Sequence, residues 1–175
     1  KFYSFNNLSI EIKPTNWGMA CNAIHFLDWV TMKLNTSIDI IDSDNLTDWQ
    51  QSKRKDYYEV YGEINVLFKN NINLILKSIS NNNQNLIFSI SDKTQSWEIN
   101  WDKGQAIGNS NEIINKKILF QSEITGSILD SLINSSTCNL TPYKVSSKNH
   151  RLFVDFLIRS WNKRFKTDQE YIPIT

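Results

Sequence analysis

The fold class the 175-residue sequence predicts is α+β, a mostly antiparallel open-faced sheet with helices packed on one face. Three observations predict it. Residues 16–34 read as a helix that is apolar on most sides, and such a helix is buried on most sides. Residues 57–101 alternate apolar and polar side chains in segments joined by short polar turns. That pattern indicates antiparallel pairing, since parallel crossovers need about a dozen residues or more. Helical periodicity then returns twice before the carboxyl end.

Taken in order, Lys1-Phe-Tyr-Ser-Phe5 opens the chain abruptly, and Leu8–Lys13 alternates as a half-buried strand that Pro14 ends. Thr15 or Asn16 is placed to cap the helix, and Gly18 allows close approach to its first turn. The helix runs to about Leu34. Ile38–Asp42 is a short apolar strand, and residues 42–56, polar apart from Leu46 and Trp49, read as a surface loop with a turn of helix. In the clearest strand, Tyr58, Val60, Gly62, Ile64, Val66 and Phe68 share one face. Asn70-Asn71 turns the chain into a strand at Leu74–Ser80, and the Asn81–Asn85 tract leads to another at Leu86–Ser91. Trp97, Ile99 and Trp101 alternate with polar residues ahead of a turn at Asp102-Lys-Gly104. Four consecutive strands of this kind predict a meander. A short strand near Lys117–Gln121 and a helix opened by Ser122 and Glu123 follow. Beyond Pro142 the last helix spans about Ser147–Lys166, burying Leu152, Phe153, Phe156, Leu157 and Trp161, with Lys163, Arg164 and Lys166 near its carboxyl end.

Composition narrows the function classes. The chain is 40% apolar, long enough for one substantial core, so residues 1–175 are read as one domain. A net charge of +1 without a basic stripe argues against nucleic acid. Asn22, His25 and Asp28 interrupt the longest apolar run, well short of the roughly 18 residues a membrane span needs, and no signal-peptide pattern opens the chain. A soluble, cytoplasmic protein is expected. Cys21 and Cys138 give no disulfide framework and too few donors for a zinc site. Sequons at Asn7, Asn35, Asn45, Asn134 and Asn139 are what chance produces in so Asn-rich a chain.

Within the first helix, Cys21, His25 and Asp28 stand one turn apart, with Asn22 beside them. Buried polar groups left unpaired cost about 1–3 kcal/mol each, so this stripe needs partners or a ligand. His25 is either a general base or a core histidine bonded to a carbonyl or to Asp28. Cys21 is either a small buried thiol or half of a Cys–His nucleophile pair. Trp17 reads as a platform for a ring-shaped substrate or as a packing lid. Lys13 and His150 are candidates for anionic substrate groups, with solvated surface as the alternative. Trp97 and Trp101 are expected beneath a helix or in a subunit interface, and an uncovered apolar sheet face would drive self-association.

The residues Gly18, His25 and Asp28 resemble a motif of the Gfo/Idh/MocA oxidoreductases, the family of glucose-fructose oxidoreductase and inositol dehydrogenase. There a glycine-rich start leads into a helix carrying Asp-x-x-x-His and then x-x-Asp. The Glu59-Val-Tyr-Gly-Glu-Ile-Asn-Val66 segment is similar to the family's strand entering its sheet, and Ile172-Pro-Ile-Thr175 to family carboxyl termini. The resemblance covers most of the chain and is to the carboxyl-terminal substrate and oligomerisation domain, whose fold is of the glyceraldehyde-3-phosphate dehydrogenase carboxyl-terminal-domain type. Two departures stand out. Cys21 occupies the place of the family Asp four residues before the His. The glycines at 18, 62, 104, 108 and 126 never form Gly-x-Gly-x-x-Gly, and Glu11-Ile-Lys13-Pro14 is not the family's Glu-Lys-Pro signature, which belongs to the dinucleotide half.

The resemblance implies a substrate domain separated from the Rossmann domain of its parent, and an NAD(P)-dependent oxidoreductase acting on a sugar, polyol or sugar-nucleotide hydroxyl. The domain would be inactive alone, with NAD or NADP bound only in the full-length parent and no metal. His25 would be catalytic and Asp28 its support, with Trp17, Asn22, Cys21 and Lys13 around the substrate. Implied partners are a carbohydrate-like small molecule, the parent's dinucleotide-binding domain and a second copy through the sheet face. The alternative is a non-catalytic binding module of the same fold that has lost the family carboxylate.

Overall fold

The computed structural model describes residues 7–43, 45–119 and 121–174. The opening Lys1–Phe5 run, together with Asp44, Phe120 and Thr175 of the expected loop, strand and tail, lies outside the described residues. Strand β1 (Ser9–Thr15) leads into helix α1 (Met19–Lys33). Strands β2 (Ile38–Asp42), β3 (Leu46–Gln51), β4 (Tyr58–Phe68), β5 (Ile72–Ser78), β6 (Ile87–Ser91), β7 (Ser96–Asn100), β8 (Gln105–Gly108) and β9 (Ile113–Asn115) follow. Helices α2 (Gln121–Ser135) and α3 (Tyr143–Phe165) close the chain. The fold is α+β, as expected: one sheet in the order β2-β4-β5-β1-β6-β7-β8-β9, with β3 on the other half of β4.

The expected meander is broken once. β1 inserts between β5 and β6, parallel to β5 and antiparallel to β6, because the connection after β5 is long enough to step over a strand. Pro14 lies inside β1 rather than after it. The register shifts between Ile12 and Thr15, so the residue without an N–H falls where the ladder is already interrupted. Residues 46–51, expected as loop, form β3 against β4, with Trp49 buried. The strand expected at Lys117–Gln121 lies instead at Ile113–Asn115, and β8 was not legible at all. Gly104 is required at the turn between β7 and β8. Its φ is +60°, and a Cβ there would stand 2.3 Å from the carbonyl oxygen of Lys116.

The core lies between the sheet and the helices α1 and α3. Ile10, Ile12, Ile64, Val66, Leu74 and Leu76 project from one sheet face onto Met19, Ala23, Leu27 and Val30 of α1. α3 buries Phe153, Phe156, Leu157 and Trp161, and Leu152, expected among them, is 36% exposed. The other sheet face mixes charges with exposed apolar side chains, among them Ile40, Leu67, Ile107 and Ile113, so the apolar surface expected there is present in part. Lys77 bonds Glu11 at 2.7 Å and meets Glu63 at 3.5 Å, while Lys13 pairs with Glu98. Among the described residues no helix is long and apolar enough to cross a membrane.

Candidate functional site

Among the described residues, helices α1 and α3 lie against β2, β4 and β5. Along the free flank of α1, where β6 and β7 continue beyond it, runs a groove of about 520 Å³. Its helix wall is Asn22, His25, Phe26 and Trp29, and its sheet floor is Leu86, Phe88, Ile99 and Trp101, with Trp17 closing one end. The helix wall follows directly from periodicity, since residues 22, 25, 26 and 29 share one stripe. On the floor, Phe88 is paired with Ile99 across β6 and β7, which puts both side chains on the helix side.

The aromatic walls brace one another. Trp17 meets Phe26 edge-on at 5.4 Å, Phe88 contacts Phe26 at 6.4 Å and Trp29 at 6.5 Å, and Trp101 tilts against Phe88 at 6.0 Å. Trp17 Nε1 donates to the carbonyl of Lys77 at 2.7 Å, which pins the indole over the sheet. Asn22 Nδ2 donates to the carbonyls of Trp17 (2.8 Å) and Gly18 (3.0 Å), so its amide nitrogen closes the turn and its side-chain oxygen remains available. His25 is exposed at the lip and forms no hydrogen bond among the described residues. An imidazole over an apolar groove, free at both nitrogens, can accept a proton from a bound hydroxyl.

The other expected site residues are not brought together here. Asp28 does not support His25. Its carboxylate accepts from Ser146 Oγ and from Asn149 Nδ2 at 2.8 Å, and thereby fastens α1 to α3. Asn149 is itself buried and also donates to Thr31 Oγ1 at 3.2 Å. Asp28→Ala is expected to cost about 2 kcal/mol in chemical denaturation, because it strands a buried amide and removes two bonds to a charged acceptor. Cys21 is half-buried and does not line the groove. Lys13 points from the opposite sheet face, in its ion pair with Glu98. His150 is exposed on α3, its Nδ1 within 2.9 Å of the carbonyl oxygen of Ser146. Among the described residues no group of three His, Cys, Asp or Glu side chains could hold a metal ion.

Two solved structures share this architecture. UDP-N-acetylglucosamine 3-dehydrogenase GnnA from Acidithiobacillus ferrooxidans matches with TM-score 0.56 and 9% identity over 88% of this chain and 53% of that one. A dehydrogenase (MviM) from Clostridium difficile matches with TM-score 0.51 and 13% identity over 89% of this chain and 54% of that one. The fold is that of dehydrogenase carboxyl-terminal domains. At these identities the likeness is one of fold, and this chain spans about half the length of each structure. No family model and no curated protein matches the chain.

A residue that sequence reasoning missed sets up the wall of the groove. Neither Thr15 nor Asn16 caps α1: Thr15 Oγ1 is taken up by the carbonyls of Asn82 and Gln84. The helix instead starts from Gly18 in the left-handed conformation (φ 68°), and Glu59 of β4 accepts from the backbone N–H of Ala20 at 2.9 Å. Glu59 is 8% exposed, on a strand whose other buried residues are apolar. The signal available was a carboxylate out of phase with the apolar face of β4. Its charge, after the larger effect of burial, raises the Tyr61 phenol above its ordinary value of 10.0.

Proposed function

We propose that this chain is the substrate-binding domain of an NAD(P)-dependent oxidoreductase acting on a sugar, polyol or sugar-nucleotide hydroxyl, with the aromatic groove as the substrate site. The observation that carries this reading is His25, an imidazole without a hydrogen bond among the described residues, at the lip of a groove walled by Trp17, Phe26, Trp29 and Trp101, on a fold shared with dehydrogenases. Aromatic faces suit the apolar faces of a sugar ring, and few polar groups suffice to orient it. Asn22 Oδ1 accepts from one substrate hydroxyl, and His25 takes the proton of another. The nicotinamide, when bound, supplies the hydride acceptor. This chain's own residues do not fit it. No glycine-rich strand–helix turn is present, and the amino terminus of α1, where a phosphate would seek backbone N–H groups, is already occupied by the Glu59 carboxylate. A separate domain of the same gene product would hold it, so the domain alone would not turn over.

In the full-length gene product, His25→Ala is expected to lower turnover about 100-fold or more, the worth of a general base. An unchanged rate would return His25 to the surface. The absence of any dinucleotide-binding domain from that gene product would sink the reading altogether.

A non-catalytic binding module is the second reading. It is favoured by the lack of a carboxylate beside His25, Cys21 standing off the groove and Asp28 bonded to α3. Titration of the full-length protein with nicotinamide cofactor and with sugars separates the two, since a pure scaffold binds neither.

A further inference from the structure

β7 presents Trp97 and Ile99 on the helix side of the sheet, and of these Ile99 lines the groove together with Trp101, which follows the strand. Trp97 belongs to a second, polar cleft of about 320 Å³ at the other end of the strand. The cleft lies between the β6–β7 turn, which brings Thr94 and Gln95, and the β8–β9 turn, which brings Asn109, Ser110 and Glu112. Both turns fall at the same end of the sheet because β6 to β9 run antiparallel in sequence order.

The floor of this cleft is built for a flat ligand. Trp97 is paired with Gly108 across β7 and β8, and a Cβ at position 108 would stand 3.2–3.4 Å from three indole carbons. The indole therefore lies against the glycine backbone, where a side chain would displace it. Among the described residues Trp97 stacks on no other ring, and its Nε1 has no hydrogen-bond partner. A half-buried indole supported on one side, with a free N–H, is a platform whose polar edge still needs an acceptor.

The rim decides the chemistry of the ligand. Thr94 Oγ1 donates to Asp92 at 2.9 Å, and Asn109 Nδ2 donates to the Thr94 carbonyl at 3.3 Å, leaving oxygen acceptors on both side chains. The side chains of Gln95, Ser110 and Glu112 form no hydrogen bonds among the described residues. The one charged lining residue is Glu112, and neither lysine nor arginine lines the cleft. A phosphate or carboxylate ligand is disfavoured there, whereas a neutral ring rich in hydroxyls finds both a face and acceptors.

We propose that the Trp97 cleft is a second sugar-ring subsite, and that a glycoside of two or more neutral units lies along β7 from this cleft into the groove. Trp97 and Trp101 are four residues apart, about 13 Å at a strand rise of about 3.3 Å per residue, with the apolar Ile99 between them. The span from cleft to groove rests on the reading of the groove as the substrate site. The cleft as a sugar site does not.

The test is titration of the protein with glucose, N-acetylglucosamine and their β-1,4-linked dimers, followed through the indole N–H signals in two-dimensional NMR. The dimers are expected to shift both Trp97 and Trp101 and to bind more tightly than the monomers. Trp97→Ala should weaken dimer binding about 10-fold and abolish the preference for dimers. Glu112→Ala, at an exposed turn outside the core, should weaken it about 3-fold with the fold intact. Dimers that shift Trp101 alone, or a Trp97→Ala protein of unchanged melting temperature and dimer affinity, would overturn the subsite and leave the groove standing. Shifts at Trp97 without Trp101 would support the subsite and remove the groove from sugar binding.

Discussion

Leu27→Ala is expected to destabilise the protein by about 3 kcal/mol in chemical denaturation and to lower its melting temperature by roughly 6–12 °C. Leu27 is fully buried at the middle of α1, where the helix lies across β4 and β5. Its neighbours on the helix, Met19, Ala23 and Val30, have no exposed surface either, and the strand residues Ile64, Val66, Leu74 and Leu76 beneath are equally enclosed. Truncation there removes contacts from both sides and opens a cavity that a sheet paired on both edges of β5 cannot collapse to fill. Ile133→Ala provides the contrast. That side chain on α2 is 79% exposed, and its loss should change stability by less than about 0.5 kcal/mol. A Leu27→Ala penalty below about 1 kcal/mol would mean that α1 is not seated on the sheet as described, and the groove along its flank would lose its wall.

Sequence periodicity captured the parts of the chain in which one face is buried. The alternation of β4 from Tyr58 to Phe68 and the apolar helix beginning near residue 19 each place an apolar side chain at nearly every inward position. β3 escaped because an edge strand buries little: among its described side chains only Trp49 is buried, so its composition is that of a loop. The insertion of β1 beside β5 escaped because both neighbours of a strand look alike to its side chains, and the choice between them is made by the length and path of the connection.

The site divides along the same line. His25 was legible as a polar residue on an apolar helix, but spacing alone joined it to Cys21 and Asp28, one turn away on either side. The structure joins it to Asn22, Phe26 and Trp29, a stripe rotated by one residue position, because α3 occupies the Asp28 side of the helix. Nothing in the helical spacing singled out Phe26 or Trp29. They became groove walls because the sheet outruns the helices that cover it, a property of the whole architecture that no local window contains.

Glu59→Ala is expected to cost about 3 kcal/mol, and Glu59→Gln about half as much, since the amide oxygen can still accept from Ala20 but without the charge. Two contributions add. A hydrogen bond to a buried carboxylate is worth about 1.5–3 kcal/mol, and a negative charge at a helix amino terminus about 0.3–1 kcal/mol, more where water is excluded. The Tyr61 phenol reports the charge independently of stability. Burial raises its pKa first and the Glu59 charge raises it further. Glu59→Gln removes only the second cause, so the phenol titration, followed by tyrosinate absorbance, should move down toward 10.0 without reaching it. The sign for stability follows from the raised value. Between 10.0 and the folded pKa the native state holds the proton that the unfolded chain has released, so stability falls as pH rises through that window, and Glu59→Gln narrows the window. A Tyr61 titration unchanged in Glu59→Gln would show that no charge stands at position 59 in the folded protein. The start of α1, and with it the placement of His25 over the groove, would then rest on a neutral hydrogen bond from Ala20 to Glu59, the left-handed Gly18 and the Asn22 amide.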